Sequence, residues 1–136
     1  MTDGAELSPV ARRTGWFLTG LAGLFLGMDT AIKLAALPQV TETLTQVGWP
    51  ADAATARGLG LLLAVCLALY LWRRTSVLGA VLLTAYLGGA VATHVRIGSP
   101  LFSHVLFGVY VGLVVWGGLY LRDARLRALF PLRDTN

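Results

Sequence analysis

Four stretches of this chain are almost free of charge: about Gly15 to Leu37, Ala56 to Trp72, Val77 to Val95 and Leu101 to Leu121. Each is close to the roughly 20 residues needed to cross a hydrocarbon core about 30 Å thick, the second being the shortest. None contains an internal proline. Apolar runs this long do not read as strands, and in lipid only a helix satisfies its own backbone within one segment. The pattern predicts an all-α protein, a four-transmembrane-helix bundle.

The breaks between the runs set the topology. Arg73-Arg74-Thr75-Ser76 and Gly98-Ser99-Pro100 are short, so the spans they join are antiparallel neighbours. The first break, Pro38 to Thr55, is longer. Within it Val40, Leu44 and Val47 recur at helical spacing before Gly48-Trp49-Pro50. This predicts a short amphipathic interfacial helix between the first and second spans, with Trp49 anchored at headgroup level. Residues 1–13 read as a polar N-terminal tail, 14–123 as the membrane domain and 124–136 as a basic C-terminal tail. In that last tail Leu126, Leu129 and Phe130 are placed to dip into the membrane surface. Arg12-Arg13 before an apolar run also occurs in secretory and twin-arginine signals. Here the run carries Asp29 and Lys33 and lacks a small-residue cleavage site, so it reads as a retained span.

Composition agrees with the pattern. Hydrophobic residues make up 56% of the chain and charged residues 13%, with a mean hydropathy of +0.69, too little charge for a soluble domain. The net charge of +4 then concerns orientation more than nucleic acid, which is not an expected partner. Cys66 is the one cysteine, so an intrachain disulfide, a CxxC centre and a multi-thiolate metal site are excluded within one chain. It reads as a small buried hydrophobe.

Arginine distribution sets the expected orientation. Arg12, Arg13, Arg73, Arg74, Arg122, Arg125, Arg127 and Arg133 fall on the side of both termini; Lys33, Arg57 and Arg96 fall on the other. The positive-inside rule makes both termini cytoplasmic in a multi-pass cell-membrane protein. Asp29, Lys33, Arg57, His94, Arg96 and His104 then share the outward half, where orientation does not explain them.

These residues outline a polar site. Asp29 and Lys33, four apart, share a helix face and form an expected ion pair. Gly20, Gly23 and Gly27 lie opposite them, and Gly23-xxx-Gly27 predicts close helix packing. In the third span Gly79, Tyr86, Gly89, Ala90 and Thr93 form a stripe flanked by His94. The Tyr86 hydroxyl, at mid-span, calls for a partner in the bundle. His94 and His104 flank a tight turn, and His104, Gly108 and Gly112 are spaced to share one face. Two imidazoles beside a carboxylate suit proton transfer near neutral pH or hydrogen bonding of a headgroup. The spacing is not diagnostic of a metal site, and none is assigned. No phosphate loop, nucleotide fingerprint, HExxH, GxSxG or haem-attachment motif is present.

Arg74-Thr-Ser-Val-Leu-Gly-Ala-Val-Leu-Leu-Thr-Ala-Tyr-Leu-Gly-Gly-Ala-Val-Ala-Thr-His-Val-Arg96 resembles the core of the DoxX-like membrane proteins. So do Pro100-Leu-Phe-Ser-His104, Lys33 and the Val47-Gly-Trp-Pro50 break, and the likeness runs over about residues 14 to 123. The segment Gly88-Gly-Ala-Val-Ala-Thr-His-Val-Arg96 is its most specific part. The resemblance implies a four-helix integral membrane protein. Relatives in that family include a subunit of thiosulfate:quinone oxidoreductase and proteins tied to thiol redox or membrane-protein assembly; most members have no assigned activity. It carries over Lys33, Tyr86, His94 and Arg96 as site positions. The chain departs from many relatives at Leu63, where they have a mid-helix Glu, and at Arg73, where they often have Pro. Leu63 weakens any proton-relay reading.

The expected function is an outward-facing polar pocket for a quinone-like or lipid-like molecule, in a subunit of membrane redox chemistry. His94 and His104 are to hydrogen-bond a carbonyl or carry protons, Lys33 and Arg96 to hold an anionic or carbonyl group. Asp29 is to fix Lys33, and Tyr86 to line the deeper wall. Two alternatives stay open: a non-catalytic assembly or scaffold protein, and a small isomerase or hydrolase using Asp29, His94 and His104 as acid and base. Partners are the lipid bilayer and a redox or assembly protein, with a homo-oligomer left open by the GxxxG faces.

Overall fold

A computed structural model describes residues 6–130. The expectations for residues 1–5 and for Arg133 lie outside that range. The described residues form helices α1 (Pro9–Leu34), α2 (Pro38–Gln46), α3 (Ala53–Leu71), α4 (Ser76–Arg96), α5 (Phe107–Arg122) and α6 (Ala124–Leu129), with a π-helical turn, Leu101–Val105, leading into α5. Four helical segments are long and apolar enough to cross a membrane: α1, α3, α4, and the π turn continuing into α5. The protein is an all-α membrane bundle with a short helix between its first and second spans, as its hydropathy pattern predicts.

Local chemistry explains where the helices start and stop. The first span begins six residues before Gly15, because the Ser8 hydroxyl accepts from the Ala11 amide at 3.1 Å and Pro9 sits where a helix needs no N–H. Asp52 caps α3 by accepting from the Thr55 amide at 2.7 Å. Helices α1, α2 and α4 end alike. The residue after the cap turns left-handed (Ala36, φ +51°; Gly48, φ +73°; Gly98, φ +68°), and two backbone bonds fold the chain back. In α4 these are Gly98 N–H to Val95 O at 3.1 Å and Ser99 N–H to His94 O at 3.0 Å. All three of these helix ends lie at the end of the bundle away from the α1 N-terminus.

The four spans form a ring in which α1 lies between α3 and α5, and α4 closes the far side between the same two. Neighbours run antiparallel: Gly15 near the start of α1 meets Arg122 at the end of α5, and Leu34 at the end of α1 meets Gly60 near the start of α3. Leu26, Leu63, Tyr70, Leu83, Val115 and Leu119 fill the interior. Phe17, Leu24, Met28, Leu61 and Leu113 point outward, as lipid-facing side chains do.

Close approach depends on glycines other than the expected pair. A Cβ at Gly79 would lie 2.1 Å from the Tyr70 backbone nitrogen; Gly15, Gly60, Gly108 and Gly118 are also tight. Gly23 and Gly27 meet only the tips of Leu71 and Leu67 at ordinary contact distance, and Gly20 faces open space. At Gly23 and Gly27 these α3 leucines occupy the space between the helices. Leu126 of α6 turns into the core rather than into the membrane surface, while Leu129 and Phe130 stay exposed.

Candidate functional site

The cleft is assembled from the end of the bundle where α1 and α4 finish. From α1 come Asp29 and Lys33, joined as an ion pair because an (i, i+4) spacing stacks them on one face. Lys33 Nζ also lies 5.7 Å from the Tyr86 ring centroid, tying α1 electrostatically to α4. Tyr86 is half-buried and ten residues before the end of α4, roughly 15 Å deep at 1.5 Å per residue.

Toward the mouth, α4 contributes Gly89, Ala90, Thr93 and His94. Among the described residues Gly89 has no neighbour against its missing side chain, so part of that stripe is open space. Gly79, the other end of that stripe, packs on Tyr70 instead.

The π turn delivers the second imidazole. Amide bonds Val105 to Pro100 at 3.2 Å and Leu106 to Leu101 at 2.9 Å span five residues rather than four. This geometry sets the His104 ring edge-on to His94, with centroids 5.7 Å apart. His94 Nδ1 pairs with the Ser99 hydroxyl at 2.9 Å, and His104 Nδ1 with the Ser103 hydroxyl at 2.7 Å. Each serine fixes a ring orientation, and among the described residues neither Nε2 has a hydrogen-bond partner.

Together these groups line a cleft of about 490 Å³. Its deeper wall is apolar, from Phe25, Leu26, Leu62, Leu87, Phe107 and Val111. Its other wall comes from α2 and the turn after it: Thr43, Leu44, Val47 and Trp49. Thus Asp29, Lys33, Tyr86, His94 and His104 are brought to one cavity. Arg96 is not among its lining residues. Its guanidinium donates to the Val47 carbonyl at the end of α2, where it engages a protein carbonyl rather than one on a ligand. Arg57 bonds the Leu34 carbonyl at 3.3 Å. Asp29 bonds Lys33 and, among the described residues, neither imidazole. Leu63, at the position of the relatives' mid-helix Glu, is fully buried in the core and supplies no carboxylate to the cleft.

Two features escape a reading from spacing alone. Trp49 is a cleft wall as well as a residue at the helix end; the Gly48-Trp49-Pro50 break marked the turn but not its direction. Arg122, counted only as an orientation charge, donates from Nε to the Thr19 hydroxyl at 2.9 Å. Its guanidinium carbon lies 4.5 Å from the Trp16 ring centroid and 5.6 Å from that of Tyr70. One Arg122 nitrogen, Nη2, is buried and, among the described residues, has no hydrogen-bond partner. The small residues Gly15, Thr19 and Gly118 were the available signal.

Chemically, the cavity suits an amphiphile: a hydrocarbon portion against the apolar wall and a polar head near Lys33 and the imidazoles. Comparison with curated proteins and with solved structures gave no match. The family model described as the DoxX-like family matches residues 17–118, which spans α1 to α5 and every residue of the cleft. A match over well more than half of the sequence places the chain in that family: it belongs to the DoxX-like family of proteins.

Proposed function

We propose that the cleft binds a quinone-like or lipid-like molecule from the outward side of the membrane. The observation that carries this reading is the mixed lining: aromatic and aliphatic side chains over much of the cleft, with Lys33, Tyr86, His94 and His104 set among them. An aqueous metabolite would leave the apolar wall in contact with water, whereas an isoprenoid or acyl chain would cover it. Lys33 and the free imidazole edges supply hydrogen bonds to a carbonyl or hydroxyl head. Asp29 neutralises Lys33, which lowers the cost of holding an ammonium at this depth.

The outward assignment rests on charge. Arg12, Arg13, Arg73, Arg74, Arg122, Arg125 and Arg127 belong to the opposite end, a bias that by the positive-inside rule supports cytoplasmic termini and an outward-facing cleft. Cys66 is a core residue and not part of the cleft, so a role in membrane redox chemistry would be that of a ligand-binding subunit rather than a thiol centre.

The test is titration of purified protein in nanodiscs with a short-chain ubiquinone analogue, reading tryptophan fluorescence. Saturable quenching that shrinks in Trp49→Phe and weakens in Lys33→Ala and His94→Ala is the expected result. Linear quenching, equal in wild type and variants, rejects the quinone-binding reading. Co-purified lipid that the analogue does not displace but that is lost in Lys33→Ala favours the lipid-like ligand.

A further inference from the structure

We infer that Arg96 is a positioning residue: it clamps α2 and Trp49 across the mouth of the cleft and thereby sets how fast the cleft exchanges its contents. The exchange half of this inference rests on the binding reading above; the clamp half does not.

The segment it holds is lightly attached. Helix α2 has nine residues and packs through one narrow face, Val40 and Leu44 against Ala56 and Leu59 of α3. Gln39, Glu42 and Thr45 on its other face are exposed. An element with so little buried surface opens locally at lower free energy than the spans it rests on. Yet this element supplies Thr43, Leu44, Val47 and Trp49 to the cleft wall. Something must fix it against α4, on the opposite side of the mouth.

Arg96 does so with one bond. Val47 is the residue at which α2 ends, and a helix-terminal carbonyl has no partner inside its own helix. Arg96 Nη2 reaches across 49 positions of sequence to that oxygen. The cation also lies at the negative end of the α2 dipole, where a positive charge is favoured. Among the described residues, it is the only side-chain hydrogen bond joining α2 and its following turn to α4. Gly48 completes the fit: its φ of +73° releases the chain toward Trp49, and a Cβ there would stand 3.3 Å from the guanidinium. Trp49 is then held by its own amide on the Leu44 carbonyl at 2.8 Å, so helix, turn and indole move as a unit.

Hydrogen exchange on the full chain in nanodiscs tests the clamp without any ligand. In Arg96→Ala, amides of residues 40–49 should exchange about tenfold faster or more, the scale of one charge-assisted hydrogen bond. Amides within α3 and α4 should keep their protection. Arg96→Lys, which retains a cation and a donor, should restore part of the loss. Gly48→Ala should loosen the same segment with Arg96 intact, and it carries the comparison if Arg96→Ala does not fold. Unchanged exchange in the folded variants overturns the clamp.

Stopped-flow release of a bound ubiquinone analogue tests the exchange half. Release about tenfold faster in Arg96→Ala supports it. Faster amide exchange with unaltered release overturns it. Failure of wild type to bind the analogue counts against the binding reading alone, and the amide exchange still decides the role of Arg96.

Discussion

The two ends of the bundle use the same residue types to opposite effect. At the end near the termini, Gly15 and Gly118 let α1 and α5 touch, Gly79 seats on the Tyr70 backbone, and Tyr70 is fully buried. Its hydroxyl donates to the Val115 carbonyl at 2.8 Å and lies 3.4 Å from the Thr19 hydroxyl. Arg122 donates to that same threonine hydroxyl and lies over the Trp16 and Tyr70 rings. At the other end, Gly88 and Gly89 face nothing, and the polar groups line a cavity. A missing side chain therefore means contact where a neighbour fills the space, and at Gly89, where none does, it leaves part of the cleft open. The comparison separates a closed, tightly packed end from an open end that holds the cleft.

Substitutions can break that comparison, beginning with the closed end. Gly79→Ala places a methyl group inside the Tyr70 backbone, so its cost should reach or exceed the about 1–3 kcal/mol typical of overpacking. Unfolding in mixed micelles would measure it; a variant as stable as wild type would mean that α3 and α4 are not seated this tightly. Next come Asp29→Asn and Lys33→Met, each expected to cost about 1.5–3 kcal/mol by stripping a charged group of its partner. The double variant should cost less than the sum of the two, and a double-mutant cycle reads that coupling directly.

Smaller effects sharpen the contrast. Tyr70→Phe removes a hydrogen bond remote from the cleft; it should lower stability by about 1 kcal/mol and leave ubiquinone-analogue binding unchanged. Gly89→Ala should be the mildest, neutral or stabilising by up to about 1 kcal/mol because a helix interior prefers Ala and nothing stands in its way. Gly89→Leu, equally compatible with folding, should fill the cleft and weaken binding of the analogue in the fluorescence titration. Equal stability losses at Gly79 and Gly89 would erase the distinction between the ends.

Much of the architecture was legible because hydropathy is local. The four spans and the short helix follow from runs and spacings within single segments, and the Asp29–Lys33 pair from one turn of helix. What escaped depended on partners distant in sequence. Nothing in Gly23-xxx-Gly27 reveals that leucines of α3 keep that face from closing, nor that Gly79 meets a backbone. The π turn was hidden because Leu101 to Val105 reads as ordinary apolar helix, and one extra residue in a turn leaves no hydropathy signature. Arg96 shared an address with His94, but the carbonyl it holds belongs to a turn on the far side of the mouth. Ser8-Pro9 starts α1 in a segment that hydropathy leaves out, because Arg12 and Arg13 keep it polar.

The ion pair on α1 has an electrical consequence. Carrying one elementary charge through a full potential of 100 mV takes about 2.3 kcal/mol, but a bonded carboxylate and ammonium that shift together carry none. Occupancy by an uncharged ligand should then be indifferent to membrane voltage. Potassium-loaded vesicles treated with valinomycin would reveal any departure as a change in affinity on polarisation.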